Sequence, residues 1–527
     1  MRHAIAAFAA VLLAAPALSA GPTDADTRAW WRLIGQLSSD AMQGRDTGSP
    51  GHARAVDLVV AQFKAAGLQP MGDGGGFRQT VPFHESRVES ARTRFVVRQP
   101  DGRTTPLRFL HDVAIRATDA LPAKVSAPLV FRGYCGASDI NADGRTDVAG
   151  KIVLCFGGRR AGMPNAAARL DAVAKAGAAG IINIDDIGFS EEQPSWFWPV
   201  AYARSIDLRG APPPAHAALP VIRLNAAALP ALLAGSGHDA AALLAAGVAA
   251  RPLPGFDLPA RLEADIAVSQ RDFTSDNVLA LLPGTDPALA GEIIVVDAHL
   301  DGYGIGTPVN GDAIYNGAFD DAAYVATLVR LAKARAGKGF RRPLLFAVFT
   351  AEEKGLLGSG WFVDHPGVPR EQLAATITLD AIRPLFPLKI LTVIGSDRSD
   401  LMRHVEAVAA PMGITPRPDR EPERGMITRT DAAPFLRIGV PAIAFMFGYD
   451  PGSPEEAGFR TWYRTRYHKP KDDIGQPIDF AAALAFNRFF DALTARIADA
   501  PQRPVIISAA QRSAVMPAAT DGRPPGR

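Results

Sequence analysis

Three short apolar runs stand out in the C-terminal half of the chain: Ile293-Ile-Val-Val296, Leu344-Leu-Phe-Ala-Val-Phe349 and Ala375-Thr-Ile-Thr-Leu379. They read as buried strands, and around them strand-like and helical stretches alternate from Ser275 to about Ala498. That alternation predicts an α/β domain of three layers with a largely parallel central sheet. Near the N-terminus, Val56, Val59, Val60 and Phe63 follow the spacing of one buried helix face, and Gly67 ends the helix. The stretch from Asp24 to about Gly76 therefore reads as helical, and from about Phe77 to Leu121 the pattern changes to short strands. Residues of roughly 123 to 255 form a separate small α/β unit. Its expected strands are Lys151–Cys155, Ile181–Ile184 and Pro220–Leu224, with a helix from Asn165 to Ala176 ended by Gly177, and an Ala-rich helix after the last strand. The Pro-rich segment Arg251–Pro259 reads as the connection back to the larger domain.

The two ends follow other patterns. Arg2 and His3 precede an Ala- and Leu-rich run from Ala4 to Leu18, followed by the small residues Ser19 and Ala20. A positive start, an apolar middle and a small-residue cleavage site predict a secretory signal over residues 1–20. No later stretch is long and apolar enough to be read as a transmembrane helix, so no stable membrane insertion is expected after signal removal. Residues 501–527 mix Pro, Gly, Arg and Ala without a period and read as a disordered tail. The divisions expected are thus 1–20, 21–122, 123–255, 256–500 and 501–527. Export places Cys135 and Cys155 in an oxidising compartment. One disulfide and two buried thiols on neighbouring strands are both open readings.

A chain of 527 residues exceeds what a single core usually supports, in keeping with more than one domain. Lys and Arg total 56 against 54 Asp and Glu. That balance argues against a nucleic-acid partner and against a polybasic membrane surface. Two cysteines exclude a disulfide-dense scaffold and a Cys-rich zinc ribbon.

The chemistry gathers at the strand ends, where open α/β sheets bind their ligands. The first apolar run delivers His299-Leu-Asp301, the second Glu352-Glu353 and the third Asp380. Asn316-Gly-Ala-Phe-Asp320-Asp321 lies between the first two, just before a helical stretch from about Ala322 to Ala334. Singly, each acidic residue would read as a helix cap or a solvated turn. Four clusters at one predicted sheet edge point instead to a metal site. With no cysteine nearby, the donors are nitrogen and oxygen, which suits Zn²⁺, with Mn²⁺ or Co²⁺ as substitutes. Several carboxylates in one small site repel one another unless cations neutralise them. Two divalent ions about 3.5–4 Å apart would do so and would make a hydrolytic centre. No Gly-Xaa-Ser-Xaa-Gly elbow stands near this edge, which counts against a serine hydrolase.

These residues carry a family resemblance. His299-Leu-Asp301, Asn316-Gly-Ala-Phe-Asp320-Asp321, Thr350-Ala-Glu352-Glu353-Lys-Gly-Leu-Leu-Gly-Ser359, Leu379-Asp380 and Tyr467-His468 resemble the co-catalytic zinc aminopeptidase family. That family also includes glutamate carboxypeptidases and glutaminyl cyclases. The resemblance extends to Ser39-Asp-Ala-Met-Gln-Gly-Arg-Asp-Thr-Gly48. The inserted unit, with Gly150-Lys-Ile-Val153 and Lys175-Ala-Gly-Ala-Ala-Gly180, resembles a protease-associated domain, a non-catalytic lid or substrate-access module.

The resemblance implies a three-layer α/β/α zinc exopeptidase domain with a mixed, mainly parallel sheet. It implies that His299, Asp320 and Asp380 hold one zinc, and that Asp320, Glu353 and His468 hold the second. Glu352 would be the general base for a water between the metals, and Asp301 would steer the His299 ring. A cis peptide after the bridging aspartate makes Asp320-Asp321 a candidate. The implied activity is an exported aminopeptidase, periplasmic or secreted, acting on peptides with free N-termini. A carboxypeptidase, another amidohydrolase, a single-metal cyclase and a non-catalytic binding protein are its rivals. Two departures bear on the pocket: Ala322-Ala-Tyr324 replaces the more usual Ala-Ser-Gly, and Thr430-Asp431-Ala-Ala-Pro-Phe435 lacks a histidine common in the family. Trp462, Tyr463 and Tyr467 either line the substrate pocket or pack a loop. His52, His84, His111, His216, His238, His365 and His404 match no ligand motif and read as structural or surface residues.

Overall fold

The computed structural model describes residues 21–140, 147–158, 163–186, 203–380 and 382–507. The larger of its two main sheets is mixed. Across it run Thr415–Pro418, Ile390–Ile394, Ala442–Gly448, Leu373–Thr378, Ile293–His299, Leu344–Phe349, Val268–Leu282, Arg78–Val88 and Arg204–Leu208. The four strands Ala442–Gly448, Leu373–Thr378, Ile293–His299 and Leu344–Phe349 are parallel neighbours. Antiparallel strands flank them on both sides. All three apolar runs read from the sequence lie in this parallel centre.

Side chains alternate across these strands and feed two cores. Ile294, Val296 and Ala298 join Leu344, Phe346 and Val348 against one helical layer. That layer contains Ala25–Leu37, Pro50–Ala65, Ala323–Arg335 and Phe480–Ala498. Ile293, Val295, Leu345, Ala347 and Phe349 face the other side, where Phe362, Val363 and Phe435 cover them from Leu357–Asp364 and Ala432–Arg437. Residues 323–332 of the helix Ala323–Arg335 are buried all round, as expected of a helix inside a large domain. It starts directly beyond Asp320-Asp321.

The second main sheet runs Thr104–Leu107, Arg94–Arg98, Gly255–Asp265, Lys124–Arg132, Ile152–Phe156, Gly180–Ile184, Val221–Leu224 and Val113–Ile115, over its own apolar core. A disulfide joins Cys135 to Cys155, which settles the two readings left open. The Pro-rich segment expected as a connection is partly a strand, Gly255–Asp265. Its pairing with Lys124–Arg132 slips between Asp257 and Arg261, around Pro259, which has no N–H to give a ladder. The strand Arg204–Leu208 leaves the small unit and pairs with Arg78–Val88 at the edge of the large sheet.

The predicted secretory signal, residues 1–20, and positions 508–527 of the predicted tail lie outside the described residues. The start of that tail is corrected. Arg503 Nη2 donates to the Leu373 carbonyl at 2.8 Å, Val505 N–H to Asp400 Oδ1 at 2.9 Å, and Ser399 bridges to Ile506. Backbone and side-chain pairing of this kind leaves no periodic apolar signal in the sequence. Among the described residues, no helix is long and apolar enough to cross a membrane.

Between the two N-terminal helices the chain makes a tight turn in which Gln43, Gly44 and Arg45 all have positive φ. A Cβ on Gly44 would come within 2.5 Å of the Gly304 carbonyl, so only glycine fits there. The turn drives the fully buried Arg45 inward. Its guanidinium donates to the carbonyls of Leu300 at 2.8 Å, Leu37 at 2.8 Å, Asn316 at 2.6 Å and Gly317 at 2.8 Å. Leu300 follows His299, and Asn316-Gly317 leads into Asp320. One side chain thus ties together two of the loops on which the candidate site stands. Replacing it would leave several buried carbonyls without donors and remove a cation from among carboxylates. Arg45→Met is expected to lower the stability of the large domain by about 3–5 kcal/mol, read as a shift of the urea-unfolding midpoint.

Candidate metal centre

Parallel pairing brings the C-terminal ends of the central strands to one edge. His299 is the last residue of Ile293–His299, and Asp301 is two residues on. Glu352 and Glu353 follow Leu344–Phe349 by three and four residues, and Asp380 follows Leu373–Thr378 by two. Asp320 comes from the irregular turn ahead of Ala323–Arg335, and the Asp320-Asp321 peptide is cis. His468 comes from the turn beyond Pro454–Thr465 and has a positive φ of 54°.

The predicted ligands meet around Asp320. His299 Nε2 lies 3.4 Å from Asp320 Oδ1, and His468 Nε2 lies 3.1 Å from Asp320 Oδ2. Glu353 Oε1 is 3.5 Å from His468 Nε2. His299, Asp320 and Asp380 form one group, and Asp320, Glu353 and His468 a second. Within each group the donor atoms lie within 4.8 Å of one another. Glu352 belongs to neither group but stands at its edge, with Oε2 3.9 Å from His299 Nε2.

A layer of hydrogen bonds holds these side chains. His299 Nδ1 lies 3.0 Å from the Asp301 carbonyl, and Asp301 Oδ1 is 3.8 Å from the same nitrogen. The Asp301 carboxylate accepts from the Glu352 backbone N–H at 2.9 Å and from the Thr47 hydroxyl at 3.0 Å. Asp301 thus acts on the loop carrying Glu352 as well as on the His299 ring. Asp321 accepts from the His299 backbone N–H at 3.0 Å. The buried Asp472 accepts from the Phe319 N–H at 3.1 Å and from Gln476 Nε2 at 2.6 Å, and Trp462 Nε1 donates to Gln476 at 2.7 Å. Tyr467 stacks on the His468 ring at 3.5 Å, while Trp462 and Tyr463 are buried in the core. Of the three aromatic residues singled out, Tyr467 is stacked on a predicted ligand ring.

Thr47, Tyr303, Tyr324, Arg383 and Asp472 also take part, although none stands in a ligand motif. Tyr303 lies 4.4 Å from the His468 ring, centroid to centroid, with Lys354 Nζ 4.8 Å from its own centroid. Of these five, Thr47 lies in the 39–48 segment that carries the resemblance and Tyr324 is a departure from the family pattern. The others come from loops whose approach depends on the tertiary fold.

Burial and crowding shape the electrostatics. The carboxyl of Glu352 is pushed well up by burial, and further by Asp380 and Glu353, against the pull of His299. Glu353 is pushed well up by burial and by Asp320. Asp380 is raised by burial and by Asp320. For Asp320 burial acts in the same sense, but hydrogen bonds from His299 and His468 outweigh it and hold the carboxyl well below the usual range. Asp431, hydrogen-bonded to Ser359, is pushed up to about 7 by burial. This many buried acidic groups favour cations in their midst.

The residues fit a metal ion on two counts. Among the described residues, buried Glu353 Oε1 accepts no hydrogen bond, an arrangement a metal would relieve. A tetrahedral zinc with bonds of about 2.0–2.1 Å needs donors about 3.3–3.4 Å apart. The three spacings of 3.4, 3.1 and 3.5 Å given above bracket that value.

Comparison with known proteins bears on this geometry. Residues 277–493 match the model of Peptidase family M28, and residues 125–207 match that of the PA domain. Leupeptin-inactivating enzyme 1 of Streptomyces exfoliatus is 26% identical over 178 residues, which span 34% of this chain and 37% of that enzyme. An aminopeptidase from Aneurinibacillus sp. strain AM-1 shares the fold, with a TM-score of 0.60 at 20% identity, over 92% of this chain and 96% of that one. BSAP, a zinc aminopeptidase from Bacillus subtilis, does so with a TM-score of 0.57 at 18% identity, over 90% and 96%. With the expected motifs in order on the strand ends, residues 277–493 form a domain that matches Peptidase family M28, in a chain that also carries a PA-domain match at residues 125–207.

Proposed function

We propose that this peptidase is an exported zinc aminopeptidase that removes residues from the free N-termini of peptides. The observation that carries the reading is the pair of three-residue groups sharing Asp320, with Glu352 beside them and outside both. In this reading His299, Asp320 and Asp380 hold one zinc, Asp320, Glu353 and His468 hold the other, and Asp301 orients His299. When bound, the two ions would polarise the scissile carbonyl and lower the pKa of water between them. Glu352 then takes a proton from the attacking water and hands it to the nitrogen of the departing amine as the C–N bond breaks. Its burial suits that role, because a carboxylate whose pKa is held above its usual range takes up a proton more readily. Export rests on the pattern of residues 1–20, and the small unit at 123–255 is read as a module controlling access.

Zinc is preferred for its match to imidazole and carboxylate donors, with Mn²⁺ or Co²⁺ as substitutes. The restriction to N-termini follows from the need to hold a free amine, which a zinc ion and neighbouring carboxylates can do. A carboxypeptidase or another amidohydrolase would use the same centre with a different pocket.

Glu352→Gln is expected to lower kcat by about 10²–10⁴-fold while zinc content stays at the wild-type level, checked by peptide turnover alongside elemental analysis. Unchanged turnover would remove Glu352 from the role of base. Asp320→Ala, by contrast, should deplete both ions, whereas His468→Ala should deplete one, and elemental analysis of dialysed protein reads the difference. The substrate reading is tested by mass spectrometry of a peptide mixture, half with free and half with acetylated N-termini. Chelator-sensitive loss of single residues from free N-termini alone is expected. Trimming from the C-terminus, indifferent to acetylation, would overturn the aminopeptidase and keep the metal centre.

A further inference from the structure

Arg383 is among the largest fully buried side chains of the protein, only 1% exposed. It follows Asp380 by three residues, and its Nη1 donates back to the Asp380 carbonyl at 2.5 Å and to the Tyr324 hydroxyl at 2.6 Å. The guanidinium lies 4.6 Å from the Trp462 ring centroid and 5.7 Å from that of Tyr324. Its hydrogen bonds go to neutral oxygens, and its Nε has no acceptor among the described residues. A buried cation is normally paired closely with one carboxylate, because desolvation is otherwise uncompensated. This one is instead held by a phenol, an indole face and a carbonyl. Its charge stands against the backbone of Asp380 and, through Tyr324, against the start of the helix that follows Asp320, beside the carboxylates and not in a close pair with any one of them. The unusual Tyr324 is thereby accounted for: it fixes the guanidinium in place behind the metal ligands.

We propose that Arg383 is a built-in counter-ion of the candidate metal centre, holding the acidic cluster together while it is metal-free and opposing the cations that load it. The inference rests on the zinc reading given above. A fixed positive charge beside ligand carboxylates stabilises them in the absence of metal and repels an incoming divalent ion. Arg383 therefore weakens zinc retention while making the metal-free fold more stable. It is a positioning residue, since it belongs to neither group of proposed ligands and acts through Tyr324 and the Asp380 backbone.

The test compares the full chain with Arg383→Met, which keeps an apolar stem against Trp462, and with Arg383→Lys, which keeps the charge. Each is examined metal-free and with zinc, by thermal unfolding and by competition for zinc with a chromophoric chelator. Arg383→Met is expected to bind zinc roughly tenfold more tightly or better, while Arg383→Lys stays within about threefold of wild type. The Met variant should melt lower than wild type when metal-free, and its rise in Tm on adding zinc should be larger. Solubility of the Met variant only with zinc present would support the same conclusion. Equal loss of Tm with and without zinc at unchanged affinity would reduce Arg383 to packing and overturn the proposal. Weaker zinc binding by the Met variant, or its failure to fold even with saturating zinc, would overturn it too. Absence of zinc uptake by the wild-type protein would instead sink the zinc reading on which the proposal rests.

Discussion

Like charge confined at the end of a buried sheet is the constraint on which the rest of this protein depends. Asp301, Asp320, Asp321, Glu352, Glu353 and Asp380 converge where strand ends meet, and burial raises the energy of each negative charge. No hydrophobic packing can relieve that cost. The structure answers it with imidazoles at 3.1–3.5 Å, with buried guanidinium groups, and with donor spacings that suit a divalent cation. The same crowding that burdens the fold makes the place suitable for binding metal and moving protons.

The scaffold spends much of its polar bonding on holding this edge still. Arg45 gathers the carbonyls around His299 and Asp320, and Thr47, two residues later, bonds Asp301. Asp46 between them pairs with Lys354, the neighbour of Glu353, and with Arg204. Arg204 also bonds Glu85 at 2.6 Å and begins the strand that leaves the small unit to join the large sheet. The inserted unit is therefore connected to the candidate site by a chain of charged contacts as well as by covalent linkage. That continuity gives a physical basis for treating the two units as parts of one device.

Much of the site was legible beforehand because a parallel sheet makes sequence position informative. An apolar run followed at once by His or an acidic residue places that residue at the functional edge, so His299, Glu352, Glu353 and Asp380 could be named with few assumptions. Asp320 joined them as part of the acidic cluster ahead of a helix, whereas its place between two ions and the whole of His468, on a turn after a helix, needed the family resemblance. The central strands and the helix beyond Asp320 followed from periodicity, whereas the sheet of the small unit also takes in Arg94–Arg98, Thr104–Leu107, Val113–Ile115 and Gly255–Asp265 from outside the expected 123–255. The strand around Pro259 and the ordered Pro501–Ile507 segment did not follow from periodicity, because both depend on backbone partners far away in sequence.

Residue identity and order thus limit the donors on offer at this edge: imidazole and carboxylate groups, no thiolate, on alternating strands and helices. Which carboxylates share an ion pair, which stand apart and which are steadied by a buried arginine is decided only when the chain is folded. Arg383 and Asp472 carry no motif, and the roles of these two, as of Arg45 and Tyr324, arise from approach distances set by the packing of separate loops. The disulfide is the same kind of case, since two cysteines permit a bond but only the pairing of neighbouring strands brings their Cα atoms to 5.5 Å. Local chemistry is written along the chain, whereas distance, burial and the field each group feels belong to the assembled core.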